Sequence, residues 1–141
     1  MSHPDDGHKK YEGKLSSVFS EKITEERIHL FCETVGAEPS LTAPPTFLTV
    51  FRAGEFELFD QMGLNLANVL HGEQQYVYES EIHAGDEISY QAKLTSVLEK
   101  KGGTGRMSFL SFETLVEVRT PNPRKVAKSK TTVIVREKVG A

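Results

Sequence analysis

Three side chains, each beside a glycine or a proline, are the candidates in this sequence for proton-transfer chemistry. Glu38 lies in the segment GAEPSLTAPPTF (36–47), and His71 and Glu73 lie in LHGEQ (70–74). A histidine and a carboxylate at one site can pass a proton to and from a substrate, because an imidazole titrates near neutral pH. Residues two apart in a strand point to the same face, so a strand here would place His71 and Glu73 side by side.

Each of these candidates also has a structural interpretation, which the sequence favours. Without an imidazole beside it, Glu38 fits a loop or capping acid. Next to Gly72, His71 fits a hydrogen-bonded histidine that anchors the start of a strand. All three remain candidates for catalysis, and none is assigned with certainty.

Other kinds of chemistry lack the residues they need. The single cysteine, Cys32, excludes an internal disulfide, and no thiol cluster or close histidine pair gives metal-ligand spacing. There is no Gly-rich phosphate loop, HExxH motif or Ser–His–Asp order, and GGTG (102–105) is predicted to be a hairpin tip with no helix after it. We therefore expect no metal and no cofactor.

Composition limits the possible partners. The net charge of -3 and pI near 6.0 come from mixed charges spread along 141 residues, which gives no basic footprint for nucleic acid. No window approaches the roughly 18 apolar residues that cross a bilayer, and no signal peptide is apparent. These features predict a cytoplasmic protein with a disordered tail over residues 1–12 and one domain over 13–141.

Two segments have the pattern of helices. In TEERIHLFCETVG (24–36) the residues Ile28, Phe31, Cys32 and Val35 share one face, with Thr24 as N-cap and Gly36 at the end. A second helix is predicted from just after Pro44 and Pro45 to Gly63, apolar over more than one stripe. Gly54 lies in its middle and costs about 1 kcal/mol there, which indicates close approach of another backbone.

The period changes to two after residue 71. Four strands are predicted in QQYVYESEI, EISYQAKLTSVL, MSFLSFETLVEV and KTTVIVREK, and a short early strand in LSSVFS (15–20). On EISYQAKLTSVL one face carries Ile88, Tyr90, Ala92 and Leu94. This order of elements predicts an α+β protein with a single hot-dog fold, in which a curved antiparallel sheet wraps a long central helix. Exposed sheet edges in so small a domain predict a dimer.

Four short segments in a fixed order carry a resemblance to a known family: APPTF (43–47), LHGEQ (70–74), AGD (84–86) and VIVRE (133–137). Because of these segments, the chain resembles the N-terminal-type MaoC-like dehydratase domains, and the resemblance extends from Leu15 to Glu137. Those hot-dog proteins act on acyl thioesters of coenzyme A or acyl carrier protein. The chain is most similar to the non-catalytic subunits that pair with a catalytic homologue to form a (3R)-hydroxyacyl thioester dehydratase, or an enoyl thioester hydratase in the reverse sense.

The resemblance also shows what this sequence lacks. Catalytic members carry Asp and, five residues later, His in the context Gly-Asp-x-Asn-Pro-x-His. Aligned on Gly36, the place of Asp is held by Ala37 and that of His by Thr42, or by Leu41 if the register slips. None of these side chains can act as an acid or base. The resemblance implies a binding role, with Pro44, Thr46, Phe47, Phe51 and Gly72 as candidate substrate-binding residues.

Three hypotheses follow. In the first, the chain forms the wall of an acyl tunnel, backbone donors at the start of the long helix polarise the thioester carbonyl, and a homologous partner supplies Asp and His. In the second, it is a self-sufficient homodimeric hydratase or thioesterase that uses His71 with Glu73 or Glu38. In the third, it is a ligand-binding or scaffold protein without thioester chemistry. The length of the acyl chain stays open in each.

Overall fold

The computed structural model describes residues 7–103 and 105–138. The strands are β1 (Phe19–Lys22), β2 (Val69–Tyr78), β3 (Glu87–Lys101), β4 (Gly105–Thr120) and β5 (Arg124–Lys138). The α-helices are α1 (Glu25–Val35) and α2 (Ala53–Gln61), and short 3₁₀ helices occupy Lys9–Tyr11, Pro45–Val50 and Leu66–Asn68.

The strands form one antiparallel sheet in the order β1-β3-β4-β5-β2. Both α-helices pack on the same face, called the inner face here; the opposite face is the outer face. Ile28 and Cys32 of α1 share a buried cluster with Ile88, and Leu58 of α2 shares a second cluster with Phe112. The predicted α+β hot-dog architecture is confirmed.

Helix α1 forms as the sequence predicts. The Thr24 hydroxyl accepts a hydrogen bond from the Arg27 backbone N–H, and Gly36 closes the helix with a φ of +73°. Cys32 is 1% exposed, as expected of a small core residue. Val35 differs from the prediction: it stands at the last position of the helix and is 51% exposed.

The prediction of one continuous helix from Pro45 to Gly63 is wrong. The chain forms a 3₁₀ helix to Val50, breaks at Phe51 and Arg52, and only then forms the nine-residue α2. Packing explains the break, because Phe51 joins the cluster around α1 while α2 fills the other cluster. The helix is also less enclosed than predicted, since Phe56 is 50% exposed.

The close approach inferred from Gly54 is present. A Cβ at this position would lie 2.8 Å from Ser16 Oγ and 2.9 Å from Ala92 Cβ. The absence of a side chain therefore lets α2 rest directly on β3. The inward face of β3 is also as predicted, since Ile88, Tyr90, Ala92 and Leu94 are all buried.

The N-terminal segment differs from the predicted tail. Residues 1–6 lie outside the described part of the chain, but from Gly7 onward the segment packs against the sheet. His8 is 7% exposed, and the backbone N–H groups of Gly13 and Ser16 donate to Leu94 and Ala92 of β3. The early strand also starts later than predicted, at Phe19.

We call residues 7–18 the strap. It follows the edge of β3 beyond the end of β1, with an isolated bridge between Leu15 and Lys93. That edge of the sheet is therefore covered. Among the described residues no strand pairs with the outer edge of β2, so β2 is an open edge.

Candidate functional site

An apolar pocket of about 390 Å³ lies between the segment 43–48 and the segment 78–82 at the end of β2. Its walls include Ala43, Pro44, Phe47, Leu48 and Tyr78. Glu79, Ser80 and Glu81 supply polar groups to the same lining. The volume falls within the range of small-ligand sites, roughly 300 to 1,000 Å³.

Local sequence explains how the pocket forms. The backbone of Pro44 is extended, and Pro45 starts the 3₁₀ helix, where the missing N–H of proline costs nothing. This helix buries Phe47 and Leu48. The Ala43 N–H donates to the Ile82 carbonyl at 2.8 Å, which joins the two walls.

The five candidate substrate-binding residues do not all meet at this pocket. Pro44 and Phe47 line it. Phe51 is 2% exposed in the core, with its ring 5.6 Å from that of Phe47. Thr46 is exposed outside the lining, and Gly72 lies on β2 away from the pocket.

Tyr78 brings a phenol to the lining of the pocket. Burial, and to a lesser degree the neighbouring Tyr76, raises the pKa of Tyr78 to about 12. Its phenol therefore remains protonated at neutral pH and can donate a hydrogen bond to a carbonyl oxygen.

Backbone donors at the helix start are fewer than expected. Pro44 and Pro45 have no N–H, and the Phe47 N–H is already bonded to the Pro44 carbonyl. At the start of α2, the Ala53 N–H is already bonded to the Tyr90 hydroxyl. Burial raises the pKa of Tyr90, and this hydrogen bond acts to lower it. Tyr78 is thus a more available donor than these amides.

The expectation that His71 and Glu73 share a face is wrong. His71 pairs with Val133 of β5 and Glu73 pairs with Thr132, so Gly72 is an extra residue between them. Directly opposed residues in an antiparallel pair point to the same side. His71 therefore lies on the inner face with buried Val133, while Glu73 lies on the outer face, where it accepts a hydrogen bond from Gln75 at 2.7 Å.

Gly72 makes this bulge possible. A Cβ there would stand 3.2 Å from the Thr132 carbonyl oxygen. The extra residue reverses the faces of all residues that follow it. His71 and Glu73 are both exposed at the open edge, and as placed they cannot act on one substrate atom within a single chain.

Other side chains stand at the positions that the sequence resemblance assigns to a proton-transferring pair. Ala37 packs against the core, Glu38 is exposed, and Thr42 Oγ1 lies 3.0 Å from His83 Nδ1. His83 is exposed, and the sequence gives no indication of its contact with Thr42. The two residues are 41 positions apart, and no local pattern announces their pairing.

A buried ion pair was also missed. Glu55 is 2% exposed, and its Oε2 accepts a hydrogen bond from Arg52 Nε at 2.7 Å. Burial raises the pKa of Tyr76, and the nearby charges of Arg52 and Glu55 act on it in opposite directions. The Tyr76 hydroxyl is buried with no hydrogen-bond partner among the described residues. The available signal was a pair of opposite charges three residues apart at the start of α2.

Two further features are absent from the part of the chain that the structure describes. Among residues 7–103 and 105–138, no three His, Cys, Asp or Glu side chains are grouped so as to hold a metal ion. No described helix has both the length and the apolar character that crossing a bilayer requires.

Solved structures share this fold at low sequence identity. The chain superposes on a MaoC-like dehydratase with a TM-score of 0.73 and 17% identity, covering 90% of this chain and 42% of that one. It superposes on the HadBC (3R-hydroxyacyl-ACP dehydratase) complex of Mycobacterium tuberculosis with a TM-score of 0.68 and 17% identity, covering 88% and 96%. The fold shared with these structures is therefore the hot-dog fold.

The sequence itself assigns the family. A family model described as "FAS1-like, dehydratase domain region" matches residues 38–123, more than half of the chain, and the chain belongs to that family. A UPF0336 protein of Streptomyces coelicolor is 27% identical over 99 residues, 57% of this chain and 66% of the relative. A UPF0336 protein of Mycobacterium tuberculosis is 34% identical over 67 residues, 45% and 40% of the two chains. The chain thus spans less than two thirds of these relatives' length.

Proposed function

We propose that this chain is a binding subunit of a (3R)-hydroxyacyl dehydratase or enoyl hydratase, which holds an acyl thioester while a catalytic hot-dog homologue supplies Asp and His. One observation carries the proposal. The apolar pocket adjoins the segment where relatives hold their catalytic pair, yet its lining includes no histidine, and Ala37 and Thr42 occupy the positions of that pair.

The pocket suits the acyl part of such a substrate. Phe47 and Leu48 offer apolar contacts, and each buried methylene of an acyl chain gains about 0.8 kcal/mol. The protonated Tyr78 phenol can donate a hydrogen bond to the thioester carbonyl. When ionised, Glu79 and Glu81 can only accept hydrogen bonds, and the Ser80 hydroxyl already donates to the Lys125 carbonyl, which leaves the Tyr78 hydroxyl as a side-chain donor of this lining.

The open edge of β2 supports the need for a partner. Ten residues of this strand leave one row of backbone groups unpaired among the described residues. A second sheet could pair with this row. Two structural neighbours, HadBC and ChsH1–ChsH2 of Mycobacterium tuberculosis, are complexes, which is consistent with such an assembly.

The test is complementation. The isolated chain should give no hydration of crotonyl thioester, and a mixture with a hot-dog homologue that carries the Asp and His pair should give turnover. Full hydration by the lone, pure chain would exclude a purely binding role. Failure to bind any acyl thioester in calorimetry would favour a scaffold role instead.

The role of Tyr78 can be tested with a matched pair of variants. Tyr78→Phe should weaken acyl thioester binding roughly fivefold, because one hydrogen bond contributes about 1 kcal/mol. Tyr76→Phe is the control, since that hydroxyl lies outside the pocket lining and bonds to no described residue. Equal effects of the two substitutions would rule out Tyr78 as the donor.

A second candidate is a self-sufficient hydratase or thioesterase. Its original form, His71 with Glu73 or Glu38, is weakened because the first two lie on opposite faces and Glu38 is exposed. The contact of His83 with Thr42 supports another form, since it brings an imidazole to the place of the missing histidine. Turnover by the pure chain that His83→Ala abolishes, and that His71→Ala and Glu38→Ala leave intact, would support it.

A further inference from the structure

A basic cleft lies at the end of the sheet where β3 turns into β4. It encloses about 910 Å³ and is lined by four cationic side chains, Lys100, Lys101, Arg106 and Arg136, and by one acid, Glu137. The chain as a whole carries a net charge of -3, whereas the charged side chains that line this cleft are mostly positive.

Most of this positive charge is available to a partner. Glu137 is bound from two sides, by Arg106 Nη2 at 2.9 Å and by His8 Nε2 at 3.0 Å. Lys100, Lys101 and Arg136 form no ion pair with a described carboxylate. Lys100 lies 5.4 Å from the centre of the Phe109 ring, a contact that keeps its charge.

An apolar row crosses the outer face beside this cleft. Leu98 of β3 pairs with Phe109 of β4, Phe109 with Ile134 of β5, and Ile134 with Leu70 of β2. The two ends of the row, Leu98 and Leu70, are 57% and 53% exposed, and Leu70 also lines the cleft. Across four strands the row is about 14 Å long, since neighbouring strands lie roughly 4.8 Å apart.

We propose that the basic cleft and this apolar row dock an acidic carrier protein that bears the acyl thioester. This inference rests on the proposed function and names the source of its substrate. An α-helix with its side chains is about 10–12 Å across, so an acidic amphipathic helix matches both the width of the row and the charge beside it. The nucleotide of coenzyme A would use the positive charge but leave the apolar row exposed.

The distance to the apolar pocket fits delivery to a partner chain. Leu70 and Tyr78 are eight residues apart on β2, which places the cleft about 26 Å from the pocket of the same chain. If the open edges of two sheets pair antiparallel, the start of one β2 strand lies beside the end of the other. The cleft of one subunit then lies at the same end of the combined sheet as the pocket of its partner.

Charge reversal tests the electrostatic part. The probe is an acidic acyl carrier protein with a phosphopantetheine arm, measured by calorimetry at low and moderate salt against the full chain. The double variant Lys100→Glu/Arg136→Glu should weaken binding at least tenfold at low salt. Lys14→Glu, an exposed change on the strap away from the cleft, should leave it unchanged.

The apolar part has its own matched pair. Leu70→Ser should weaken carrier binding roughly fivefold or more, because it removes an apolar contact at the edge of the cleft. Leu115→Ser is the control, as Leu115 is 52% exposed on β4 and does not line the cleft. Equal losses in the two variants would overturn the assignment of the surface.

Two further outcomes would overturn the proposal. One is unchanged carrier binding in the charge-reversed variant. The other is an equal loss of acyl coenzyme A binding, which would make the cleft a nucleotide site. A separate failure marks the proposed function: if an acyl pantetheine, which lacks both carrier and nucleotide, does not bind the wild-type chain, the pocket assignment fails whether or not the unloaded carrier docks.

Discussion

The Arg52–Glu55 pair shows how single residues constrain this fold. Glu55 of α2 is 2% exposed, whereas the side chain of Arg52 is 29% exposed and lies over the Phe56 ring at 4.9 Å. A buried carboxylate is tolerated only when a charge or hydrogen bond compensates it. Arg52 keeps access to water and does not depend on Glu55 in the same way.

This asymmetry predicts unequal effects of two truncations. Arg52→Ala leaves the Glu55 carboxylate buried without its partner and should lower the free energy of unfolding by about 3 kcal/mol. Glu55→Ala should cost less, about 1–2 kcal/mol, because the freed guanidinium can turn to solvent. Urea unfolding of both variants measures the difference, and a larger loss for Glu55→Ala would contradict the argument.

At the residue scale the sequence predicts local chemistry well and long-range pairs poorly. The Thr24 cap and the turn at Gly36 are recognised because they depend on a few neighbouring residues. The relation of His71 to Glu73 was missed because it depends on the register of β2 against β5. The Thr42–His83 contact was missed because two distant segments meet there.

At the element scale, the close contact of α2 with β3 makes a side chain at position 54 destabilising. Gly54→Ala would gain up to about 1 kcal/mol in helix propensity. Its Cβ, however, would stand 3.1 Å from the Ala92 backbone nitrogen as well as against Ser16, and a strand backbone cannot easily move. We expect a net loss of about 1–2 kcal/mol in unfolding free energy by urea titration.

The control for this substitution lies on the same helix. Gln61→Ala changes an exposed residue at the end of α2 and should stay within about 0.5 kcal/mol of wild type. If Gly54→Ala were as stable as wild type or more so, the helix would have room to lift from the sheet.

The strap gives a pH-dependent prediction. Burial acts to raise the pKa of Glu137, but hydrogen bonds from Arg106 and His8 outweigh it and hold this pKa below the usual value of 4.5. A lowered folded-state pKa contributes stability above the unfolded value, and that stability disappears as pH falls through the folded value. The free energy of unfolding of the wild type should therefore decrease as the pH is lowered below about 4.5, and the decrease should be smaller in Glu137→Gln.

Unfolding by urea between pH 3 and 6 measures this difference. Glu33→Gln, an exposed change on α1, is the control and should follow wild type across the range. If the free energy of unfolding fell equally with decreasing pH in wild type and in Glu137→Gln, the ionised Glu137 side chain would not be the group that stabilises the strap.

Elements were predictable where their pattern repeats along the chain. All five strands were anticipated because alternation fixes which side chains face the core, although β1 begins four residues after the predicted start at 15. The break at Phe51 and Arg52 was not, because it depends on two separate core clusters competing for one apolar segment. The sequence does not indicate the strap, because its contacts with β3 join groups that lie far apart along the chain, such as Glu12 with the Val97 N–H and the Ser16 N–H with the Ala92 carbonyl.

At the scale of the whole molecule, β2 is an unprotected edge. Its sequence, VLHGEQQYVY, has no proline or lysine, the residues that usually prevent a strand from pairing with another chain. Val77 is 57% exposed on the outer face of this edge strand, whereas the strap covers the opposite edge of the sheet along β3. These features favour assembly through β2.

If subunits associate through β2, Val77→Lys should separate them without unfolding the chain. A lysine at this edge adds a charge that a paired strand would have to desolvate, while Val77 contributes little to the core of its own subunit. Analytical ultracentrifugation should show a shift to the mass of a single chain, with an unchanged far-UV circular dichroism spectrum.

Val18→Lys is the matched control, because Val18 is 59% exposed on the strap, and it should leave the mass unchanged. If Val77→Lys kept the wild-type mass while Val18→Lys reduced it, subunits would associate through the strap side of the sheet, and β2 would not be the edge that completes the site.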